Sequence, residues 1–137
     1  MTALIDTNII LDVFLKRIPF YEMSYKILNI CKNGSVNGII SAHSVSNIWY
    51  ISRKDFKDDE RRTLIKTLFD CFEVSSLNKQ KLLSAIDRTD FSDFEDCLQD
   101  ECAQEFDADF IVTRNVKDFA HSTVKAVSPE EFIQLAG

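Results

Sequence analysis

Short, largely apolar runs alternate along this chain with longer segments in which apolar residues recur every three or four positions. Five runs of the first kind lie at residues 3–5, 36–40, 72–74, 109–112 and 124–127. Segments of the second kind lie at residues 9–15, 19–33, 41–51, 57–70, 79–87 and 92–106, and from residue 129 onward. The short runs predict β-strands and the periodic segments predict α-helices. Such alternation predicts a three-layer α/β/α sandwich, in which helices cover both faces of a mostly parallel five-stranded sheet.

Residues at the ends of these segments indicate where the helices begin and end. Thr7-Asn8 is expected to cap the first helix, and Ser128 is expected to cap a last helix that begins at Pro129. Asn33-Gly34 is a C-terminal stop for the second helix. In the second helix, apolar and aromatic residues recur at helical spacing, at Tyr21, Tyr25, Leu28 and Cys31. The fourth helix is expected to turn Leu64, Ile65, Leu68 and Phe69 inward.

The chain has 137 residues, which predicts a single domain over residues 1–137. No stretch approaches the roughly 20 apolar residues that span a bilayer, and the first residues do not resemble a signal peptide. We therefore expect a cytoplasmic protein with no membrane partner. The four cysteines form no CxxC motif, so we expect reduced thiols rather than a disulfide framework or a zinc site.

The formal net charge is −6, and acidic residues concentrate in the second half of the chain. Residues 90–109 hold nine carboxylates and no Lys or Arg. This balance excludes a basic nucleic-acid surface over the whole domain. A smaller basic segment at residues 53–66 is mixed with acids, and a solvated helix face with ion pairs four residues apart is the simpler interpretation.

Polar side chains directly follow two of the predicted strands. Asp6 ends the first strand, and Asn115 and Asp118 come after the fourth. Asp93 and Asp96 begin the helix that leads into the fourth strand, on a face that also includes Asp100. Because sites in parallel sheets form at the carboxyl ends of strands, these acids are expected to meet. Each has a simpler alternative as a helix cap or first-turn acid, and Asp100, Glu101 and Glu105 are expected on the solvated surface.

Carboxylates brought together raise one another's pKa values or bind a cation. Oxygen ligands select Mg²⁺ or Mn²⁺ over zinc, and neither His43 nor His121 lies in a zinc-like spacing. A carboxylate-held ion of this kind suits phosphodiester hydrolysis. A different metal-dependent phosphohydrolase would need a second acid two residues after Asp6, where the chain has Asn8.

Three blocks of the sequence resemble motifs of the PIN domain family, and especially of bacterial VapC-like toxins. They are Leu4-Ile5-Asp6-Thr7-Asn8-Ile9-Ile10-Leu11-Asp12, Asp93-Phe94-Glu95-Asp96-Cys97-Leu98-Gln99, and residues 108–119, which include Thr113, Asn115 and Asp118. The resemblance covers essentially the whole chain. It implies a Mg²⁺- or Mn²⁺-dependent endoribonuclease, often a homodimer, with an RNA substrate and an antitoxin protein as partner.

Residue by residue, the resemblance places Asp6, Asp96 and Asp118 at the metal and in catalysis, with Asp118 in the fourth motif. It places Asp93 at the metal as a supporting acid. Thr7, Asn8, Thr113 and Asn115 match polar residues that orient ligands or a substrate phosphate. The RNA backbone would be contacted by basic residues, for which the candidates are Arg114, Lys117, Arg53 and Lys54.

One position departs from the family pattern. The second acid of the family is usually a Glu on the helix after the second strand, and the matching residue here is Asn47, with His43 four residues earlier. An amide oxygen can bind a cation but brings no charge. A PIN-like module that binds RNA or a protein without turnover is therefore the alternative to an active ribonuclease.

Overall fold

The computed structural model describes residues 1–137, and it contains one five-stranded sheet. The strands are β1 Thr2–Ile5, β2 Asn37–Ser41, β3 Glu73–Ser75, β4 Phe110–Val112 and β5 Ala126–Val127. Their order across the sheet is β3-β2-β1-β4-β5, and every neighbouring pair is parallel. The predicted α/β class is confirmed. The strand order reverses between β2 and β4 around β1, so the carboxyl end of β1 lies where ligands bind in sheets of this kind.

Seven helices connect and flank the strands. They are α1 Thr7–Phe14, α2 Tyr21–Lys32, α3 Ala42–Ile51, α4 Asp58–Cys71, α5 Lys79–Ile86, α6 Phe94–Glu105 and α7 Pro129–Ala136. Short 3-10 helices lie at Ser52–Lys54 and Val116–Phe119. None of the helices has both the length and the apolar character needed to cross a membrane.

Apolar side chains cover both faces of the sheet, as the sandwich prediction requires. On β1, Ala3 and Ile5 belong to one buried cluster, whereas Leu4 belongs to a second cluster on the opposite face. This alternation follows from the two-residue period of a strand. The larger cluster draws on α1, α2, α3, α4 and α7, and the second draws mainly on α6.

Two predicted helix faces differ from the structure. Phe69, expected inward, is 51% exposed, and Tyr25, one of the residues at helical spacing in α2, is 46% exposed. In α4 the buried positions are Arg61 and Leu68, and in α2 they include Ile27. The guanidinium of Arg61 lies 3.9 Å from the Trp49 ring, so the packing surface offered to α4 is partly aromatic and accepts a cation in place of an apolar side chain.

The prediction that Asp100 lies on the solvated surface was wrong. Its side chain is fully buried, and it accepts hydrogen bonds from the backbone N–H groups of Thr123 and Val124 at 2.9 and 3.0 Å. Arg88 pairs with the same carboxylate at 2.6 Å. Asp100 therefore fixes the segment that leads into β5, a long-range role that helical periodicity cannot indicate. Glu105 is exposed as expected. Glu101, which was also expected on the surface, has a side chain only 12% exposed because it pairs with Arg88 at 2.8 Å.

Candidate functional site

An open cleft of about 220 Å³ lies beyond the carboxyl ends of β1 and β4. Five carboxylates and no Lys or Arg are among its lining residues. The five acids are Asp6, Asp93, Glu95, Asp96 and Asp118. We call this site the acidic cleft. Four of the five were expected from the sequence to meet, and the topology brings all four together.

Asp6 is held at the floor of the acidic cleft by the sheet itself. Its backbone N–H donates to the carbonyl of Val112 at 3.0 Å, so β1 continues one residue before the chain turns into α1. Asp6, rather than Thr7-Asn8, therefore occupies the N-cap position, although its side chain makes no capping bond. The side chain is free to point into the cleft because the helix does not use it.

Both carboxylate oxygens of Asp6 accept hydrogen bonds from buried side chains. Gln99 donates from Nε2 to Oδ1 at 2.9 Å, and Thr113 donates from its hydroxyl to Oδ2 at 3.0 Å. Burial raises the pKa of Asp6, and these two hydrogen bonds oppose the shift. The two hydrogen bonds hold the carboxylate in one orientation, as a metal ligand or a proton acceptor requires.

The N-terminus of α6 delivers two further acids. Asp93 is the N-cap, and its Oδ1 accepts a hydrogen bond from the backbone N–H of Asp96 at 3.0 Å. The pKa of Asp96 is raised to about 7, first by burial and then by the charges of Asp93, Asp6 and Asp118. A helix N-terminus favours a charged acid. Since the net shift is upward, burial and neighbouring charge outweigh the helix, and a cation at this place would be stabilised.

Residues after β4 form the opposite wall. Asp118 belongs to the short 3-10 helix Val116–Phe119 and lines the cleft together with Asn115. The Thr113 hydroxyl accepts a hydrogen bond from the backbone N–H of Asn115 at 3.0 Å while it donates to Asp6. Thr113 thus ties the turn that carries the fourth-motif residues to the first acid.

Thr7 and Asn8 also line the cleft, but the Thr7 hydroxyl and the side-chain oxygen of Asn8 are engaged elsewhere. The hydroxyls of Thr7 and Ser44 lie 2.6 Å apart in a buried contact that joins α1 to α3. The side-chain oxygen of Asn8 accepts a hydrogen bond from Arg17 at 3.2 Å. Both residues therefore fix the position of the helix that follows Asp6.

The wall formed by α3 carries Asn47 and His43. Asn47 donates from Nδ2 to Oε2 of Glu95 at 3.2 Å, and His43 Nε2 lies 3.2 Å from the backbone carbonyl of Glu95. Burial lowers the pKa of His43, which favours the neutral ring.

The sequence interpretation missed Glu95 and Gln99 as cleft residues. Gln99 lies three residues after Asp96, so helical spacing could have placed it on the same face.

None of the four basic RNA-contact candidates lines the acidic cleft. Arg114 pairs with the fully buried Asp12 through two contacts of 2.8 and 3.0 Å, and its guanidinium lies 3.8 Å from the Phe20 ring. Arg53 lies 3.7 Å from the Tyr50 ring. Lys54 and Lys117 are exposed, and Lys117 directly precedes Asp118.

The donor set of the acidic cleft fits a hard divalent cation. Carboxylate and amide oxygens dominate the lining, and no cationic side chain neutralises them. The Oε1 atom of Gln99 is buried without a hydrogen-bond partner, which leaves an acceptor available. As the side chains stand, no three His, Cys, Asp or Glu residues are grouped to hold a metal ion.

Comparisons with known proteins agree on the family and the fold. The family model described as PIN domain matches residues 2–117. No curated protein sequence matches the chain significantly. The structure of VapBC2 from Rickettsia felis bound to a promoter DNA fragment has a TM-score of 0.71 and 18% identity, and the match covers 93% of this chain and 98% of that chain.

Two further solved structures show the same likeness. A toxin–antitoxin complex from Klebsiella pneumoniae has a TM-score of 0.70 and 21% identity, over 93% of this chain and 97% of that chain. VapBC-1 from nontypeable Haemophilus influenzae has a TM-score of 0.67 and 18% identity, over 95% and 99%. At these identities the likeness concerns the fold, and it supports the PIN-like arrangement of a parallel five-stranded sheet between helices.

Proposed function

The chain belongs to the PIN domain family, and we propose that it is a toxin-like endoribonuclease that depends on Mg²⁺ or Mn²⁺. The observation that carries this proposal is the acidic cleft, where acids from β1, α6 and the turn after β4 converge without a cationic side chain. Because like charges at this density repel one another, the cleft favours a divalent ion. Asp6 and Asp96 would hold the ion, with Asp118 and Asp93 in support.

When bound, such an ion lowers the pKa of a coordinated water and stabilises the charge that develops on a phosphodiester during hydrolysis. The protein contributes the orientation of the ligands. Gln99 and Thr113 hold both oxygens of Asp6 in fixed positions. Asp96, whose pKa is about 7 in the chain without a cation, would bind the ion in its deprotonated form.

RNA suits this site as substrate only in the presence of the cation. The five carboxylates of the cleft repel a phosphate backbone, so the metal charge is needed before a phosphate can approach. The exposed Lys117, next in sequence to Asp118, would contact a neighbouring phosphate. Arg53 and Lys54 are exposed and remain candidates for more distant phosphates.

We further propose a protein antitoxin as partner, association of two copies, and a cytoplasmic location. Two of the similar structures are described as VapBC proteins and a third as a toxin–antitoxin complex. On this chain, Tyr50, Ile51 and Phe69 of α3 and α4 are exposed at 61%, 38% and 51%. Apolar side chains of this size in solvent are suited to a protein partner.

The test is cleavage of single-stranded and structured RNA by the purified chain with Mn²⁺, with Mg²⁺ or with EDTA, beside the Asp6→Asn variant. We expect cleavage that needs the metal and is lost in the variant. Asp6→Asn keeps the size of the side chain, and circular dichroism checks that it folds. Equal cleavage by both proteins would point to a contaminant and overturn the proposal.

Asn47 favours one second candidate, a PIN-like module that binds RNA or protein without turnover. It places no charge at the position where the resemblance expects an acid. If Asn47→Glu produces metal-dependent cleavage that the wild-type chain lacks, this candidate replaces the first. Robust turnover by the wild-type chain excludes it.

A further inference from the structure

Helix α3 contributes no acid to the acidic cleft, but it contacts an acid that comes from another helix. The side chain of Asn47 donates from Nδ2 to Oε2 of Glu95 at 3.2 Å. His43, one turn earlier on α3, has Nε2 3.2 Å from the backbone carbonyl of Glu95, an oxygen that can only accept a hydrogen bond. Two polar residues of α3 therefore hold the side chain and the backbone of Glu95 at the same wall.

We propose that Glu95 supplies the carboxylate that α3 lacks, and that Asn47 positions it as a further ligand or water-orienting group of the metal site. This inference rests on the proposed metal-dependent function. Oε2 of Glu95 is used by Asn47, and Oε1 has no partner in the protein. No Lys, Arg or His forms an ion pair with Glu95, so its charge is not neutralised by the chain.

The amide of Asn47 is suited to this role because it can donate. A carboxylate at this position would face Glu95 at hydrogen-bond distance, and the two negative charges would repel each other. The neutral amide instead donates a hydrogen bond to Glu95, which fixes one of its two oxygens without adding a negative charge. The departure from the family pattern at Asn47 and the presence of an acid at Glu95 thus form one complementary pair.

A second observation points to a ligand in the acidic cleft. Gln99 is 2% exposed and lines the acidic cleft, and its Oε1 is buried without a hydrogen-bond partner. Its Nε2 is already committed to Asp6. An orphaned buried acceptor is costly unless something in the cleft satisfies it. A hydrated divalent cation presents water hydrogens to such acceptors, including the free oxygens of Glu95 and Gln99.

The test measures Mn²⁺ binding by titration calorimetry and by the loss of the free-ion signal in electron paramagnetic resonance, with RNA cleavage as a separate readout. The variants are Glu95→Gln, Asn47→Glu and the two combined. Glu73→Gln is the matched control, because Glu73 is exposed on β3 and does not line the cleft. Asp6→Asn tests the metal site as such.

We expect Glu95→Gln to weaken Mn²⁺ binding by about 10- to 100-fold, the range found when groups that support metal ligands are removed. The control should bind as the wild type does. Asn47→Glu should restore binding in the Glu95→Gln background, because the exchanged pair again has one acid and one amide donor. The same substitution in the wild-type background should give no comparable gain, since the introduced carboxylate repels Glu95.

If the effect of one substitution on Mn²⁺ affinity depends on whether the other is present, the two residues act as a coupled pair. If Glu95→Gln binds Mn²⁺ as tightly as the wild type while Asp6→Asn does not, the role of Glu95 is overturned and the proposed function stands. If Asn47→Glu raises affinity equally in both backgrounds, the two positions act independently and the inference fails. If neither the wild-type chain nor the Asp6→Asn variant binds Mn²⁺, both the inference and the proposed function are overturned.

Discussion

Gln99 holds the carboxylate of Asp6 across 93 positions of sequence, with its Nε2 donating to Oδ1 at 2.9 Å. Thr113, on the other side, donates to Oδ2 at 3.0 Å. The first acid of the acidic cleft thus receives its orientation from α6 and from the residue after β4. Because Asp6 is 3% exposed, few other groups can stabilise its charge.

Replacement of Thr113 by Val keeps the shape of a fully buried side chain and removes one of these donors. We expect the variant to lose about 1.5–3 kcal/mol of unfolding free energy at neutral pH, the range for hydrogen bonds to charged groups. The pKa of Asp6, already raised by burial, should rise further. Urea unfolding and Mn²⁺ titration measure the two effects.

Thr67→Val is the control for this substitution, since Thr67 is exposed on α4 and contacts only the backbone of its own helix. It should change stability by no more than about 0.5 kcal/mol. Thr113→Val with wild-type stability and wild-type Mn²⁺ affinity would show that Asp6 does not depend on this hydrogen bond.

Asp96 should make the metal-free protein less stable as the pH rises. Its pKa in the folded chain is about 7, whereas an unfolded Asp titrates near 3.9, about three units lower. The folded chain therefore binds this proton more tightly, and the stabilisation is complete below pH of about 4 and is lost as the pH rises through 7. Asp6 shifts in the same direction.

Asp96→Asn isolates this contribution from other titrating groups. Relative to the wild type, the metal-free variant should gain stability between pH 4 and pH 8, by more than the about 0.5 kcal/mol of ordinary surface substitutions. Saturating Mg²⁺ should reverse the order, because the wild type gains the binding free energy of the ion. Parallel pH profiles for the two proteins without metal would contradict the crowding of carboxylates at this site.

The sequence predicted the sheet, the number of its strands and the position of most helices, because each apolar run and each helical period is a local signal. It also placed Asp6, Asp96 and Asp118 near one another, because parallel strands end at the same edge. Both conclusions need only the order of elements along the chain.

Contacts between side chains of distant elements could not be predicted in this way. Nothing local marks Gln99 as the partner of Asp6, or Glu95 as the partner of Asn47. Asp100 was expected on the solvated surface, yet the backbone N–H groups of Thr123 and Val124 satisfy its charge. Such pairings depend on how helices pack over the sheet, and the local patterns of a single sequence do not indicate that packing.

The buried position of Asp100 predicts a large stability effect without any role in metal binding. Asp100→Ala leaves two backbone donors and part of Arg88 without their partner, and we expect a loss of about 3–5 kcal/mol, as for other broken buried ion pairs. Glu101→Gln keeps an oxygen that can accept a hydrogen bond from Arg88 and leaves Asp100 in place, so it should cost much less. Chemical denaturation of both variants makes the comparison. Similar losses for the two would mean that Asp100 has no special anchoring role.

Arg114 and Lys117 are both candidates for RNA contact, but their replacement should have different effects, one on the stability of the fold and the other on RNA affinity. Arg114 pairs with Asp12, which is fully buried, and the only other cation near that carboxylate is Arg17 at 3.6 Å. Arg114→Ala should therefore lower the unfolding free energy by about 3 kcal/mol or more, because it leaves a buried charge poorly compensated.

Lys117→Ala should leave stability within about 0.5 kcal/mol of the wild type, because the side chain is exposed and forms no ion pair. It should instead weaken RNA binding and reduce the dependence of affinity on salt by about one phosphate contact. RNA binding by both variants is measured with the metal-binding residues intact, at saturating Mg²⁺ and with a non-hydrolysable RNA analogue, so that RNA is bound and not cleaved. If Arg114→Ala keeps full stability while it loses RNA affinity, the guanidinium acts on the substrate and its pairing with Asp12 contributes little to the fold.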